Sequence, residues 1–168
     1  MLRRRLLTAL ALVFCALWLV WLAPPEALPA VFAGIVMLGA WEWTSLMNLT
    51  GYIARLSYTL AILGLVFCAW LWLRAGGSAL PALVMGALWW LIAIACLAKF
   101  SRNPAQRVPH LLFSAPIGAV ALVTFWLAIA AIHSDAAFGP YWVTMLLLLV
   151  GGSDTGGNIA GRTWGRCK

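Results

Sequence analysis

Residues 111–132 read LLFSAPIGAVALVTFWLAIAAI, an unbroken run without a charged side chain. A helix needs about 20 apolar residues to cross the hydrocarbon core of a bilayer, and this run is long enough. Five further apolar runs lie near residues 6–23, 27–47, 58–73, 78–98 and 139–152. The pattern predicts an all-α, polytopic transmembrane helical bundle of about six spans. The last run is short, so its helix is expected to continue into the polar segment beyond it.

The composition excludes several other classes of protein. Hydrophobic residues make up 65% of the 168-residue chain and charged residues only 9%, whereas soluble domains contain about 45–50% and about 25%. So little polar surface cannot cover a water-soluble globule or keep a disordered tail in solution. The four cysteines form no C-x-x-C pair, so neither a disulfide framework nor a zinc site is predicted.

The basic residues fall almost entirely on one predicted side of the membrane. Ten of the eleven lie in the N-terminus, the loops at 48–57 and 99–110, and the segment 153–168; only Arg74 lies on the other side. Because basic residues accumulate in cytoplasmic loops, both termini are predicted to be cytoplasmic. Topology then accounts for the net charge of +7, and no nucleic-acid partner is predicted. A cleaved signal peptide is the alternative for residues 1–23, but the apolar stretch is long for one.

Glu42 is the first of two acidic residues that are candidates for a functional role, because ionisable side chains within a membrane protein are costly. It stands between Trp41 and Trp43, close to the cytoplasmic end of the second run. One interpretation is an interfacial carboxylate that reaches the headgroup region between two tryptophan anchors. The other is a partner for a basic residue of a neighbouring helix, such as Arg55. In either case Glu42 is predicted to have a structural role.

The second acidic residue is Asp154, in the segment GGSDTGGNIAGRTWGR at 151–166. In a helix, residues four apart share a face, so one face would carry Asp154, Asn158, Arg162 and Arg166. A second face would carry Gly157, Gly161 and Gly165, a spacing that lets another helix approach closely. An aspartate can ligate Mg²⁺, and arginines can hold phosphate oxygens. The alternative is that Ser153 or Asp154 only caps a helix and that the arginines only set topology.

Residues 153–165, SDTGGNIAGRTWG, resemble the segment ADTGAYxxGRxxG of the bacterial phosphatidate cytidylyltransferases, also called CDP-diacylglycerol synthases. Two further stretches are similar to that family: LGAWEW at 38–43, like its GxxE[F/W] pattern, and the basic start MLRRRLLTA. The resemblance implies a multi-pass enzyme of the bacterial inner membrane. That enzyme uses Mg²⁺ and converts CTP and phosphatidate to CDP-diacylglycerol and pyrophosphate in phospholipid biosynthesis.

The resemblance also implies roles for individual residues. Residues 1–152 would form the membrane region, and residues 153–168 would begin the cytoplasm-side active-site segment. Asp154 would be the catalytic and metal-binding residue. Arg162 and Arg166 would face phosphates, together with Asn158, which stands where the family commonly has tyrosine.

The family's further C-terminal signature, rich in lysine and aspartate, is not in this sequence. The 168-residue chain alone is therefore expected to lack catalytic activity. Two alternatives stay open: a non-catalytic membrane scaffold that packs through the glycine face, and a transporter fragment. The sequence leaves open whether the chain forms a homodimer.

Overall fold

A computed structural model describes the backbone of residues 13–102 and 111–164. It also describes the side chains of these residues, except those of residues 96–102, 111–113, 155, 158–160 and 162–164. The first helix, α1, is described over 13–21. The other helices are α2 (Ala27–Leu46), α3 (Tyr52–Arg74), α4 (Leu80–Arg102), α5 (Leu111–His133) and α6 (Gly139–Trp164). The described ranges contain helices and no strand, which confirms the all-α prediction.

The helices extend beyond the apolar runs from which they were predicted. α3 begins at Tyr52, before the run at 58–73, and α6 continues past residue 152 to Trp164. A helix satisfies its own backbone hydrogen bonds, so it can leave the apolar layer without a break. Of the described residues, three segments are long and apolar enough to cross a membrane: Ala27–Leu46, Tyr52–Arg74 and Ser114–His133. The count of six spans stays a prediction.

The chain divides into two compact units. The central unit is residues 29–131, which hold α3, α4 and nearly all of α2 and α5. The terminal unit is residues 1–28 together with 132–168 and contains α1 and α6.

The core of the central unit begins with one face of α2. Buried residues recur on that helix every four positions, at Phe32, Val36, Ala40 and Thr44, as expected for one face of a helix. α3 contributes three buried residues and the described part of α5 contributes five: Thr59, Ile62, Val66, Gly118, Trp126, Leu127, Ile129 and Ala130. Trp126 is 2% exposed, and its indole Nε1 donates a hydrogen bond of 2.8 Å to the Pro29 carbonyl. Trp126 therefore joins α5 to the first turn of α2.

Two side chains bind α5 close to Pro116. The Trp43 indole Nε1 donates to the Ser114 carbonyl at 3.0 Å, and the Tyr58 hydroxyl donates to the Ala115 carbonyl at 3.0 Å. Proline has no backbone N–H and interrupts the hydrogen-bond ladder of a helix. Donors from α2 and α3 thus meet α5 in the turn where its own ladder is incomplete.

Gly118→Ala is expected to destabilise the central unit by about 1–3 kcal/mol, the usual cost of overpacking a core. A Cβ at this position would overlap the Trp43 indole, and that indole is held by its bond to Ser114. The free energy of unfolding, from a reversible detergent-unfolding titration, measures the effect. Gly64→Ala is the matched control, because a Cβ there meets no atom within 4 Å. Equal stability of the two variants would contradict this packing.

Two of the connections contain residues in the left-handed backbone region. Asn48, after α2, has φ of 55°, and Gly76, after α3, has φ of 82°. Glycine and asparagine tolerate this conformation better than other residues. Beside Gly76, the Trp72 indole donates to the Ser78 carbonyl at 3.1 Å, which fixes the turn into α4.

In the terminal unit an aromatic group joins α1 to α6. Trp21 donates from Nε1 to the Thr144 hydroxyl at 3.1 Å, and its ring meets Tyr141 edge-on at 4.7 Å between centroids. The turn before α6 is held by Asp135, whose carboxylate accepts the N–H groups of Ala137 (2.8 Å) and Phe138 (3.0 Å). These backbone bonds, to Phe138 and Ala137, lower the pKa of the Asp135 carboxyl below its ordinary value because they favour the charged form.

Candidate functional site

The segment carrying Asp154 is the second half of α6. Ser153 and Asp154 lie well inside this helix, which begins at Gly139 and ends at Trp164. The Ser153 hydroxyl donates back to the Val150 carbonyl at 2.9 Å, the usual bond of a serine within a helix. The alternative that Ser153 or Asp154 caps a helix N-terminus is therefore wrong. Asp154 is exposed and lies on a continuous helix.

The predicted polar face is partly within the described residues. Asp154, Asn158 and Arg162 are all in α6, so their four-residue spacing places them at one register on the helix. Arg166 lies outside the described residues. The helix thus brings an aspartate and an arginine to one face two turns apart, a spacing of about 12 Å along the axis.

The glycine face of α6 is open in the described part of the chain. A Cβ placed on Gly157 or Gly161 would meet no atom within 4 Å, so no described helix packs against it. Gly165 lies outside the described residues. The close approach of a second helix at this face stays a prediction.

A second polar site, not anticipated from the sequence, surrounds Arg55 between α2 and α3. Its guanidinium donates from Nε to the Thr44 hydroxyl (2.8 Å) and from Nη2 to the Trp41 carbonyl (3.1 Å) and the Ser45 hydroxyl (3.1 Å). The guanidinium carbon also lies 4.4 Å from the Trp41 ring centroid. The signal in the sequence was the spacing of Trp41, Thr44 and Ser45, three and four residues apart and therefore on one helical face.

Glu42 does not pair with Arg55. The contacts of Arg55 in the described structure are to Trp41, Thr44 and Ser45, and the Glu42 side chain is exposed. Glu42 lies about 100° around α2 from Trp41, whose carbonyl and ring Arg55 contacts. Of the two interpretations of Glu42, the ion pair with Arg55 is wrong. The interfacial carboxylate stays a prediction.

Comparison with known proteins places the chain in a family. The model of the cytidylyltransferase family matches residues 3–168. The chain belongs to the cytidylyltransferase family. It is 28% identical to a phosphatidate cytidylyltransferase of Haemophilus influenzae and 24% identical to one of Pseudomonas aeruginosa, in both cases over 100% of this chain. It covers 63% and 60% of the length of those two relatives. No solved structure matches the chain.

Membership of the cytidylyltransferase family implies dependence on a metal ion, and the described residues can be tested for one. They contain no group of three or more His, Cys, Asp or Glu side chains that could hold a metal by themselves. They do offer the exposed carboxylate of Asp154. Mg²⁺ usually keeps several waters and binds one or two carboxylates together with substrate phosphates. Asp154 fits such a shared site and does not fit an all-protein metal cage.

Proposed function

We propose that this chain forms the membrane region and the Asp154 segment of a CTP:phosphatidate cytidylyltransferase. The observation that carries the proposal is the position of Asp154. It is exposed on a helix whose first half is an apolar stretch and whose second half is the family-matching segment. Such a helix holds a carboxylate rigidly near the membrane surface, where a lipid phosphate and a soluble nucleotide can both be reached. The membrane is the bacterial inner membrane, with both chain termini in the cytoplasm.

The proposed reaction is a nucleotidyl transfer. An oxygen of the phosphatidate phosphate attacks the α-phosphorus of CTP, the new P–O bond forms, and the bond to the β-phosphate breaks. The products are CDP-diacylglycerol and pyrophosphate, so atoms and charge balance without another reactant. Mg²⁺, when bound, would neutralise phosphate charge.

The residues of α6 would position the nucleotide. Asp154 is the proposed metal ligand and catalytic residue, and Asn158, Arg162 and Arg166 are the proposed contacts to phosphate oxygens. Arginine suits this task because its planar guanidinium donates two parallel hydrogen bonds to one phosphate. The three glycines of the neighbouring face would let another segment approach α6 closely.

The proposal is tested by CTP binding to the purified chain in phosphatidylcholine nanodiscs. Equilibrium dialysis of labelled CTP is performed with millimolar Mg²⁺ and again with EDTA. We expect binding that depends on Mg²⁺, because a carboxylate and a triphosphate repel each other without the cation. Absence of Mg²⁺-dependent binding would contradict the proposal. It would favour a non-catalytic scaffold packed through the glycine face, or a transporter fragment.

A further inference from the structure

We propose that Arg55 binds the phosphate group of an anionic membrane lipid. The choice of phosphatidate as that lipid rests on the proposed function; the assignment of a lipid phosphate rests on the surroundings of Arg55. Arg55 is half-buried and belongs to the first turn of α3.

The guanidinium of Arg55 is held in one orientation. Thr44 is fully buried, and its hydroxyl donates to the Trp41 carbonyl at 2.6 Å, so its oxygen is left to accept from Arg55 Nε at 2.8 Å. Nη2 uses both of its hydrogens, on the Trp41 carbonyl and the Ser45 hydroxyl. The face of the group lies over the Trp41 ring. Three of its five N–H donors and one face are thus fixed before any ligand arrives.

The charge of Arg55 is not neutralised by these contacts. A carbonyl, two hydroxyls and an aromatic ring are all neutral, and no carboxylate joins them in the described parts of the chain. The two remaining N–H donors, on Nη1, have no acceptor among the described residues. A cation in the first turn of a helix is also disfavoured by the helix dipole. A half-buried arginine with these costs is well suited to receive an anion, and a hydrogen bond from Nη1 to a phosphate oxygen would be charge-assisted.

The position of Arg55 favours a lipid over a soluble phosphate. It precedes the apolar run of α3, which begins near residue 58, by about one turn, so in a membrane-spanning α3 it would lie close to the lipid headgroups. Trp41 and Tyr52 form an aromatic pair here, 5.7 Å between centroids, and such residues are common at the membrane interface. Large apolar side chains close to it in sequence are exposed: Leu46 is 71% exposed and Ile53 83%. They would contact the glycerol and acyl chains of a lipid, whereas free phosphate gains nothing from them.

The test is a lipid titration of the purified chain in detergent, followed by native mass spectrometry. Dissociation constants are measured for phosphatidate and for phosphatidylcholine. We expect Arg55→Gln to weaken phosphatidate binding about tenfold, the effect of losing one charge-assisted hydrogen bond, and to leave phosphatidylcholine unchanged. Arg55→Lys keeps the charge and is expected to lose less. Excess inorganic phosphate should not displace the lipid.

Arg74→Gln is the matched control. Arg74 is at the other end of α3 and also lies over a tryptophan, 5.2 Å from the Trp70 ring centroid, yet it is predicted to face the opposite side of the membrane. Its variant should bind phosphatidate like the wild type. Unchanged phosphatidate binding in Arg55→Gln would overturn the proposal, and so would an equal loss of both lipids. Displacement of the lipid by free phosphate would also overturn it.

The experiments distinguish a failure of the Arg55 proposal from a failure of the proposed function. The lipid titration contains no CTP, so a negative result for Arg55 leaves Mg²⁺-dependent CTP binding untouched. A chain that binds phosphatidate through Arg55 and never binds CTP would refute the proposed function alone.

Discussion

Trp126→Ala is expected to lower the free energy of unfolding by about 3 kcal/mol. The indole is 2% exposed, and the substitution removes a large core side chain together with its hydrogen bond to the Pro29 carbonyl. The value is at the lower end for tryptophan in a core. In a bilayer, apolar surface gains little by leaving lipid, so mainly the lost packing and the cavity contribute. A reversible unfolding titration in sodium dodecyl sulfate with helical circular dichroism measures it.

The control for Trp126 is Trp90→Ala. Trp90 is 59% exposed, so its removal should leave little cavity and cost well under half as much. Trp126→Phe retains most of the packing and loses the hydrogen bond to Pro29. Its free energy of unfolding should therefore lie between those of Trp126→Ala and the wild type. If Trp126→Ala and Trp90→Ala were equally destabilised, Trp126 would not be a core residue.

The helices were predictable from the sequence because a bilayer imposes a length and a composition on each span. Which side of each helix faces the core was not. Trp90 and Trp126 both stand in the middle of apolar runs without a charged neighbour to mark one face. Without a polar stripe, nothing in the sequence sets the rotation of the helix, and the buried face is decided by packing against other helices.

The surroundings of Arg55 show a second limit of sequence reasoning. Opposite charge and nearness in sequence favour Glu42 as its partner, but neither determines which side chains of α2 reach Arg55. The last turns of α2 present Trp41, Thr44 and Ser45 to Arg55. Neutral hydroxyls and carbonyls are poor signals in a sequence because nearly every segment contains them. The α6 segment was more predictable: its four-residue spacing has a meaning only in a helix, and the helix is present.

Asp154→Asn is expected to weaken Mg²⁺-dependent CTP binding about tenfold or more, which corresponds to about 1.4 kcal/mol or more. Asparagine keeps the size of the side chain and loses its negative charge, and a hard cation such as Mg²⁺ prefers an anionic oxygen. Asp154 is exposed on α6, so the exchange should not disturb folding. Equilibrium dialysis in nanodiscs, with Mg²⁺ and with EDTA, measures the change.

Two controls separate the carboxylate from other features of the chain. Asp135→Asn also removes an acidic charge, but the Asp135 carboxylate accepts N–H groups of the turn before α6, so CTP binding should be unchanged. Gly157→Ala adds a methyl group where no atom lies within 4 Å, which leaves Asp154 intact while altering the glycine face. If Asp154→Asn bound CTP like the wild type and Gly157→Ala abolished binding, the functional feature of α6 would be its close-packing face. Loss confined to Asp154→Asn would identify the exposed carboxylate as the metal and nucleotide contact.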